Sequence, residues 1–547
     1  MEASFNSELK IWRGPKIPYP FSMDTMISDL VLENLSKTPE RILQITRSDD
    51  KAITCNEFKI SMIRVAQNLA KIGIKEEDVV GIIARQSHLA SYIINGCIAL
   101  GALINPLHAA MNETDICGIF TQTRPKIIIC EFDIIPKVQW ALKNVDFSYQ
   151  IYSMSNENSE LLKAEDFLKP TDNEDNFKLP RFKKPANEKI FAILCSSGTT
   201  GMSKGVCFSH SSVLSLISEF PKTTYTTVSY TTSPIYWATG FFPNITSVLL
   251  QNELRIVYED KQVEIREIFE DIEKYGITSA SITPTLLALI LQDENIHKYN
   301  LKSLQSVTSG GSIVSKTLRE KFAEIFPDKV MMVPYGLTEI FVSMTKPNEY
   351  KQEYAVGSLL SPHSEVKVVD DDGNRLGIGE RGEILIKTPY RFVKYYNNAE
   401  ATSIAFDNEG FIKTGDIGYF NKEGILFVID RKKDILKYKG HQINPSEIEN
   451  VIQKIEGVNQ VSVVGIPNDF VGNFITAAIV KKHGYESLTE DEIIKHVASR
   501  LPEYKHLHGG VYFFDELPMT PSGKIQKRFV IENILKIMQT FSFNNKM

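Results

Sequence analysis

The feature that most constrains this chain is the alternation of short, nearly unbroken apolar runs with helical stretches. Val79 to Ile83, Lys126 to Cys130 and Lys189 to Leu194 read as strands, and Ile60 to Ile72 reads as a helix. Such an alternation predicts α/β layering, because each helix must bury its apolar stripe against a neighbouring layer. At 547 residues the chain exceeds the size at which one core keeps growing, so two or more domains are expected. Apolar residues at 43% and charged residues at 23% are ordinary for a soluble globular chain, so a packed, enzyme-sized body follows.

Charge and cysteine usage exclude several functions. A net charge of -6 with a pI near 6.0 supplies no global basic field, which argues against sequence-independent nucleic-acid binding. Cys55, Cys97, Cys117, Cys130, Cys195 and Cys207 are scattered without close pairs, so neither a zinc site nor a disulfide framework is indicated, and a reducing compartment fits. The N-terminal segment has no basic stretch followed by an apolar run, so no signal peptide is expected. Leu89 to Leu107 is the strongest membrane-span candidate, but its small residues with Asn95 and Asn105 suit a buried helix ending near Asn105-Pro106. No integral membrane segment is therefore expected. The C-terminal Asn-Asn-Lys-Met is not the Ser-Lys-Leu peroxisomal address. The expectation is an intracellular protein, cytoplasmic or peroxisomal.

Organisation changes once along the chain. Near Ile429 to Asp434 a strand ends in dense charge, and Pro445-Ser446-Glu447-Ile448-Glu449 then reads as a helix start. This divides the chain into residues 1–432 and 433–547, the second being a small α+β unit with Val461 to Gly465 and Ile475 to Val480 as strands. The polar tract Glu165 to Lys189 reads as a loop leading into a buried strand.

The most informative stretch is Ile193 to Val206, ILCSSGTTGMSKGV, in which an apolar strand runs into hydroxyls, glycines and a lysine. Gly198 and Gly201 permit close backbone approach; Ser196, Ser197, Thr199 and Thr200 offer hydroxyl donors; Lys204 adds positive charge. Such a loop suits the β- and γ-phosphates of ATP. A Walker-type loop fails on spacing, since Ser203 precedes Lys204 and Gly205 follows it. A plain Gly/Ser turn between strands is the competing reading of this segment alone.

From about residue 50 to residue 530 further motifs follow in order: SGGS at 309–312, YGLTE at 335–339, KTGD at 413–416, DRKKDILKYKGHQINPSEIE at 430–449 and PSGKIQKR at 521–528. Together they resemble the adenylate-forming superfamily of acyl-CoA synthetases, coumarate:CoA ligases, beetle luciferases and nonribosomal peptide adenylation domains. The resemblance implies a large α/β domain of several subdomains followed by a small mobile α+β domain. It also implies ATP, Mg²⁺ and coenzyme A as cofactor and co-substrates, with a small carboxylic acid as substrate.

Residue by residue, the resemblance places Gly310, Gly311 and Ser312 beside the adenine, with Tyr335 and Gly336 next to them and the Tyr335 ring stacked on the base. It makes Thr338 a ligand of the α-phosphate or acyl carboxylate and Glu339 the Mg²⁺ ligand. Asp416 becomes an acceptor for both ribose hydroxyls, Arg431 a second ribose contact and Lys433 the hinge between domains. Lys524 becomes the cation bridging carboxylate and α-phosphate. Lys437 and Gly440, in Lys437-Tyr438-Lys439-Gly440, become the elements shown to the thiol after the small domain rotates. Standing alone, YGLTE reads as a helix start capped by its threonine, and the lysines of 430–439 and 524–528 as solvated charge.

This sequence departs from the pattern at Ser233 to Gly240. Beetle luciferases carry His-His-Gly-Phe where this chain has Tyr236-Trp237-Ala238-Thr239, which weakens the case for luciferin oxidation. Tyr236, Trp237 and Thr239 become candidates for the acid pocket, with ordinary core packing as the alternative for Trp237. The pocket is expected between this run, the 309–313 loop and Ile340 to Ser343, none of which offers a side-chain charge, and that favours an apolar or aromatic acid. Four activities are consistent with the motifs: a fatty or aromatic acid:CoA ligase first, then a luciferase-like monooxygenase working through a luciferyl-adenylate, a catalytically idle nucleotide-binding relative, and an adenylation domain loading a carrier protein.

Overall fold

The computed structural model describes residues 3–19, 21–154, 161–196, 203–217, 226–259, 264–312, 314–342, 352–519 and 524–544. Within them the architecture is α/β, with a large N-terminal domain of three broad sheets and a small C-terminal domain built on one.

The first sheet runs, in order, through Lys394–Tyr395, Gly205–Ser209, Ile190–Cys195, Leu103–Pro106, Val79–Ile83, Ile127–Cys130, Gln150–Ser153 and Leu162–Lys163. From Ile190–Cys195 onward its neighbours are parallel, and Gly205–Ser209 turns back antiparallel. Every residue of Val79–Ile83 and Ile127–Cys130 is buried, as parallel strands covered on both faces require. The covering helices include Cys55–Lys71, started by a reciprocal capping box of Thr54 and Glu57, and His88–Leu100 packed against it.

The second of these helices corrects the sequence reading, which carries it to Asn105-Pro106. It stops at Leu100, where Gly101 takes φ 84° and its amide donates to the Cys97 and Ile98 carbonyls, and Leu103–Pro106 is a strand. A left-handed glycine is a common helix stop. The apolar run continues past it because the helix and the strand are both buried, so hydrophobicity alone carries no boundary.

The second sheet lies in the order Val330–Met332, Ser306–Thr308, Ser279–Ser281, Thr227–Thr231, Glu253–Val257, Ile42–Thr46, all parallel, with Ala52–Thr54 antiparallel at its edge. The third is antiparallel and contains Ala355–Ser358, Glu365–Val369, Gly382–Lys387, Ile412–Phe420 and Ile425–Arg431. The small domain pairs Val458–Asn468 with Gly472–Lys481, adds Leu436–Tyr438, His441–Ile443 and Val511–Phe513, and closes its core with Ile448, Ile452, Ile493 and Val497. Both strands expected there, and the helix start at Pro445, are present.

The domains are joined by polar contacts. The buried Asp430 carboxylate accepts from the Ser446 amide at 3.2 Å and hydroxyl at 2.8 Å, and Asn450 Nδ2 donates to the Tyr354 hydroxyl at 2.8 Å. The first helix of the small domain is thereby tied to the last strand of the third sheet.

Candidate active site

Three loops from three parts of the chain converge. The antiparallel pair Ile190–Cys195 and Gly205–Ser209 brings the ends of the hydroxyl-rich loop together: the Ser196 amide donates to the Lys204 carbonyl at 3.0 Å, and the Lys204 amide to Ser196 Oγ at 3.3 Å. Ser197, Gly198, Thr199, Thr200 and Gly201 lie outside the described residues. Strand Lys394–Tyr395 pairs with Gly205–Ser209, setting Tyr395 opposite Val206.

YGLTE forms a hairpin rather than a helix start. Tyr335–Leu337 pairs with Ile340–Val342, leaving Thr338 and Glu339 as its two-residue turn. The Glu339 carbonyl accepts from the Phe392 amide at 2.9 Å, which fixes the turn against the segment leading to Tyr395. Tyr395 then links two of the loops: its hydroxyl donates to Glu339 Oε1 at 2.7 Å, and Lys204 Nζ lies 4.8 Å from its ring centroid. Burial first, and then the Glu339 charge, raises the Tyr395 phenol far above its ordinary range, so it remains a donor. Sequence reasoning missed Tyr395. Its only signal was its place just before the Asn-Asn pair at 397–398, which says nothing about Glu339.

The third convergence surrounds Asp416, which is 4% exposed. Tyr335 donates its hydroxyl to Oδ2 at 2.6 Å and Arg431 Nε donates to Oδ1 at 2.8 Å. Thr414 Oγ1 accepts from the Asp416 amide at 3.1 Å and donates to the Ile384 carbonyl at 2.7 Å. Burial raises the Asp416 carboxyl, while Arg431 and the Tyr335 hydroxyl oppose that. Tyr335 and Arg431 thus take one oxygen each, and a carboxylate with about four lone-pair sites keeps capacity for ligand hydroxyls. The Tyr335 ring, expected to stack on a base, is largely buried, with its hydroxyl held by Asp416.

Lys524 enters this cluster from the small domain. Burial draws its ammonium below the ordinary lysine range, Arg431 adds to that by repulsion, and Asp416 and Glu339 oppose it by attraction. The structure thus brings Lys524, Asp416, Arg431 and Glu339 into one electrostatic neighbourhood. Lys433 feels the same cluster: desolvation lowers its pKa, Asp434 and Asp416 raise it and Arg431 lowers it.

Gly310, Gly311 and Ser312 follow strand Ser306–Thr308, and Gly310 sits against Pro334, one residue before Tyr335. Gly336 lies in the Tyr335 hairpin strand. Of the residues expected to line the acid pocket, Tyr236 is buried against His108, ring centroids 4.3 Å apart, and Trp237 packs on Tyr236 at 5.5 Å. His108, also missed, is held neutral by burial, its pKa drawn down to about 4, and its Nδ1 accepts from the Ala110 amide. Thr239 is exposed and donates to Ser233 Oγ at 3.0 Å. Lys437 and Gly440 stand apart, on an exposed hairpin of the small domain's own sheet, where Lys439 and Gly440 take φ 48° and 81°. Glu339, an acceptor-only group one side chain away from Lys204, suits a magnesium ion shared between one carboxylate and phosphate oxygens.

Residues 31–396 match the model of the AMP-binding enzyme family and residues 447–524 that of the AMP-binding enzyme C-terminal domain. Among curated relatives, the Peroxisomal OPC-8:0-CoA ligase 1 of Arabidopsis thaliana is 29% identical over 501 residues, 90% of each chain. Luciferin 4-monooxygenase of Photinus pyralis is 27% identical over 543 residues, 96% of this chain and 97% of its own. Among solved structures, ATP-bound MatB from Rhodopseudomonas palustris superposes with a TM-score of 0.80 at 24% identity, covering 92% of this chain and 98% of its own. The chain belongs to the AMP-binding, adenylate-forming enzyme family.

Proposed function

We propose that this protein is an ATP-dependent acid:CoA ligase acting on a fatty or aromatic acid. The observation that carries the reading is the buried Lys524 of the small domain within electrostatic reach of Asp416, Arg431 and Glu339 of the large one, where Arg431 Nε holds Asp416 Oδ1 at 2.8 Å. A carboxylate and a triphosphate repel each other, so a cation between them is the first need of adenylation.

In this reading the carboxylate oxygen attacks the α-phosphorus, the bond from that phosphorus to the bridging oxygen breaks, and pyrophosphate leaves with the electron pair. The thiol sulfur, losing its proton, then attacks the acyl carbon and AMP departs. The loop from Ser196 to Lys204 holds the pyrophosphate end, Thr338 the α-phosphate or carboxylate, and Asp416 with Arg431 the ribose. Gly310, Gly311, Ser312, Tyr335 and Gly336 border the base, and Tyr236, Trp237 and Thr239 the acid. Glu339 would hold magnesium, whose charge withdraws electron density from the phosphates. We divide the domains between residues 432 and 433, with Lys433 as the pivot and Lys437 and Gly440 as the loop serving the thiol step. We place the enzyme inside the cell, in cytoplasm or peroxisome, a placement favoured by the peroxisomal relative; no described helix is long and apolar enough to cross a membrane.

A luciferase-like monooxygenase is the second reading, favoured by the Photinus relative and opposed by Tyr236-Trp237-Ala238-Thr239. An AMP-release assay across an acid panel, with and without CoA and with the metal chelated, tests the proposal. Acid-dependent, metal-dependent AMP release stimulated by CoA is the expected result. Light from luciferin, ATP and oxygen without CoA thioester formation favours the second reading, and no acid dependence at all defeats both.

A further inference from the structure

Arg255, in strand Glu253–Val257, is 2% exposed; among the described residues no carboxylate lies within ion-pairing distance of it, and the charge of Glu253, two residues before it on the same strand, acts on it only through space. Its donors go to neutral oxygens: Nη2 to Gln86 Oε1 at 2.7 Å, Nη1 to Asn244 Oδ1 at 2.7 Å and to Ser91 Oγ at 3.2 Å. Among the described residues its Nε has no hydrogen-bond partner. A desolvated guanidinium paired in this way is expensive, and apolar substitutes of similar volume are often better tolerated in cores. What it achieves is therefore to be sought in its partners.

A guanidinium has donors only, so both amides must turn their oxygens toward Arg255. Their NH₂ groups are then forced to face the other way, and there they meet the run that carries the acid-pocket residues. Gln86 Nε2 donates to the Ser233 and Gly240 carbonyls, each at 2.9 Å, joining the two ends of the run with one side chain. Asn244 Nδ2 donates to the Gly240 carbonyl at 2.9 Å and the Phe241 carbonyl at 3.1 Å. The ends approach so closely that a Cβ on Gly240 would stand 2.2 Å from the Pro234 carbonyl oxygen. Between the joined ends project Tyr236, Trp237 and Thr239.

We infer that Arg255 is a positioning residue for acid selection: through Gln86 and Asn244 it fixes the closed shape of the Ser233–Gly240 run and so the size of the acid pocket, without touching the acid. This rests on the assignment of that run to the acid pocket in the proposed function. Arg255→Lys keeps the charge but, as a point cation, cannot span both amide oxygens. Gln86→Glu is the more pointed change, since the carboxylate still accepts from Arg255, indeed as an ion pair, but sets an oxygen against the Ser233 and Gly240 carbonyls.

The test compares wild type, Arg255→Lys and Gln86→Glu for acid-dependent pyrophosphate release on saturated acids of increasing chain length. In both variants the ratio of kcat/KM between short and long acids should move by roughly tenfold or more, the scale of one methylene in a shaped pocket, while KM for ATP stays put. In parallel, each change is placed in a Trp12→Phe, Trp140→Phe background, so that Trp237, the remaining tryptophan of the chain's three, reports on the run through acrylamide quenching with no substrate present. Increased quenching supports the inference even if wild type activates no acid, a result that would defeat the acid-ligase reading alone. An unchanged acid profile with unchanged quenching in folded Gln86→Glu protein overturns it, and Gln86→Glu decides the matter should Arg255→Lys fail to fold.

Discussion

Replacing Lys524 with alanine removes a small-domain charge that reaches both the Asp416 and the Glu339 carboxylates. In the adenylation step, loss of one preorganised electrostatic partner costs about 10²- to 10³-fold in rate, or about 2.7–4 kcal/mol. Acid-dependent ATP–pyrophosphate exchange should fall by that factor. Thioester formation from presynthesised acyl-adenylate should fall far less, because no negative charge then builds on the α-phosphate. A pH signature accompanies the change. Burial lowers the folded pKa of Lys524 beneath the ordinary lysine value of 10.5. Between the two values the unfolded chain binds more protons than the folded one, so this group makes stability rise with pH across that window. Adenylation should decline over the same window as the ammonium is lost. Exchange rate and denaturant midpoint of wild type should thus move in opposite directions with rising pH, and Lys524→Ala should lack both trends. Equal loss of both half-reactions in folded Lys524→Ala protein, or a wild-type exchange rate flat across the window, would refute the reasoning.

Gly440→Leu should leave pyrophosphate exchange intact and depress CoA thioester yield; its left-handed φ of 81° also predicts a loss of about 1–3 kcal/mol in stability, readable as a lower urea midpoint, and equal damage to both half-reactions would count against a separate thiol loop. Trp237→Ala should shift the preferred acid toward bulkier members of the panel while the KM for ATP is unchanged, and an unaltered profile would assign Trp237 to the core. Tyr395→Phe keeps the ring under Lys204 but removes the donor to Glu339; the Mg²⁺ concentration for half-maximal exchange should rise about ten- to a hundredfold, as for loss of an outer partner of a metal ligand, and an unchanged metal titration would detach Tyr395 from the metal.

The sequence exposed what local chemistry dictates. The helix read at Ile60 to Ile72 falls within Cys55–Lys71, though its start at the Thr54 and Glu57 capping box went unread; the strand before Ser196 announces itself by apolar content, and the ordered motifs, through the resemblance they carry, pointed to Glu339, Asp416 and Lys524. It hid what depends on partners distant in the chain. Thr338-Glu339 forms a hairpin turn because Tyr335–Leu337 pairs with the following strand, a preference that overrides capping by threonine. Tyr395 matters because a short edge strand is laid against Gly205–Ser209. Arg255 reads as an ordinary charge between apolar neighbours until Gln86, 169 residues away in the chain, and the nearer Asn244 are seen to turn their amide oxygens toward it.

The junction between the domains has a kinetic consequence. The third sheet ends at Arg431 and the small sheet begins at Leu436, and so short a connection spans at most about 18 Å even when fully extended. Lys524 and the Lys437–Gly440 hairpin are both fastened to that tether, so whichever is withdrawn from the cleft stays within a few nanometres of it. In the two-step reaction proposed above, recapture would then be governed by an effective concentration of millimolar order or above rather than by diffusion, and alternation between the two steps would be a local swing opposed by the Asp430–Ser446 and Tyr354–Asn450 contacts.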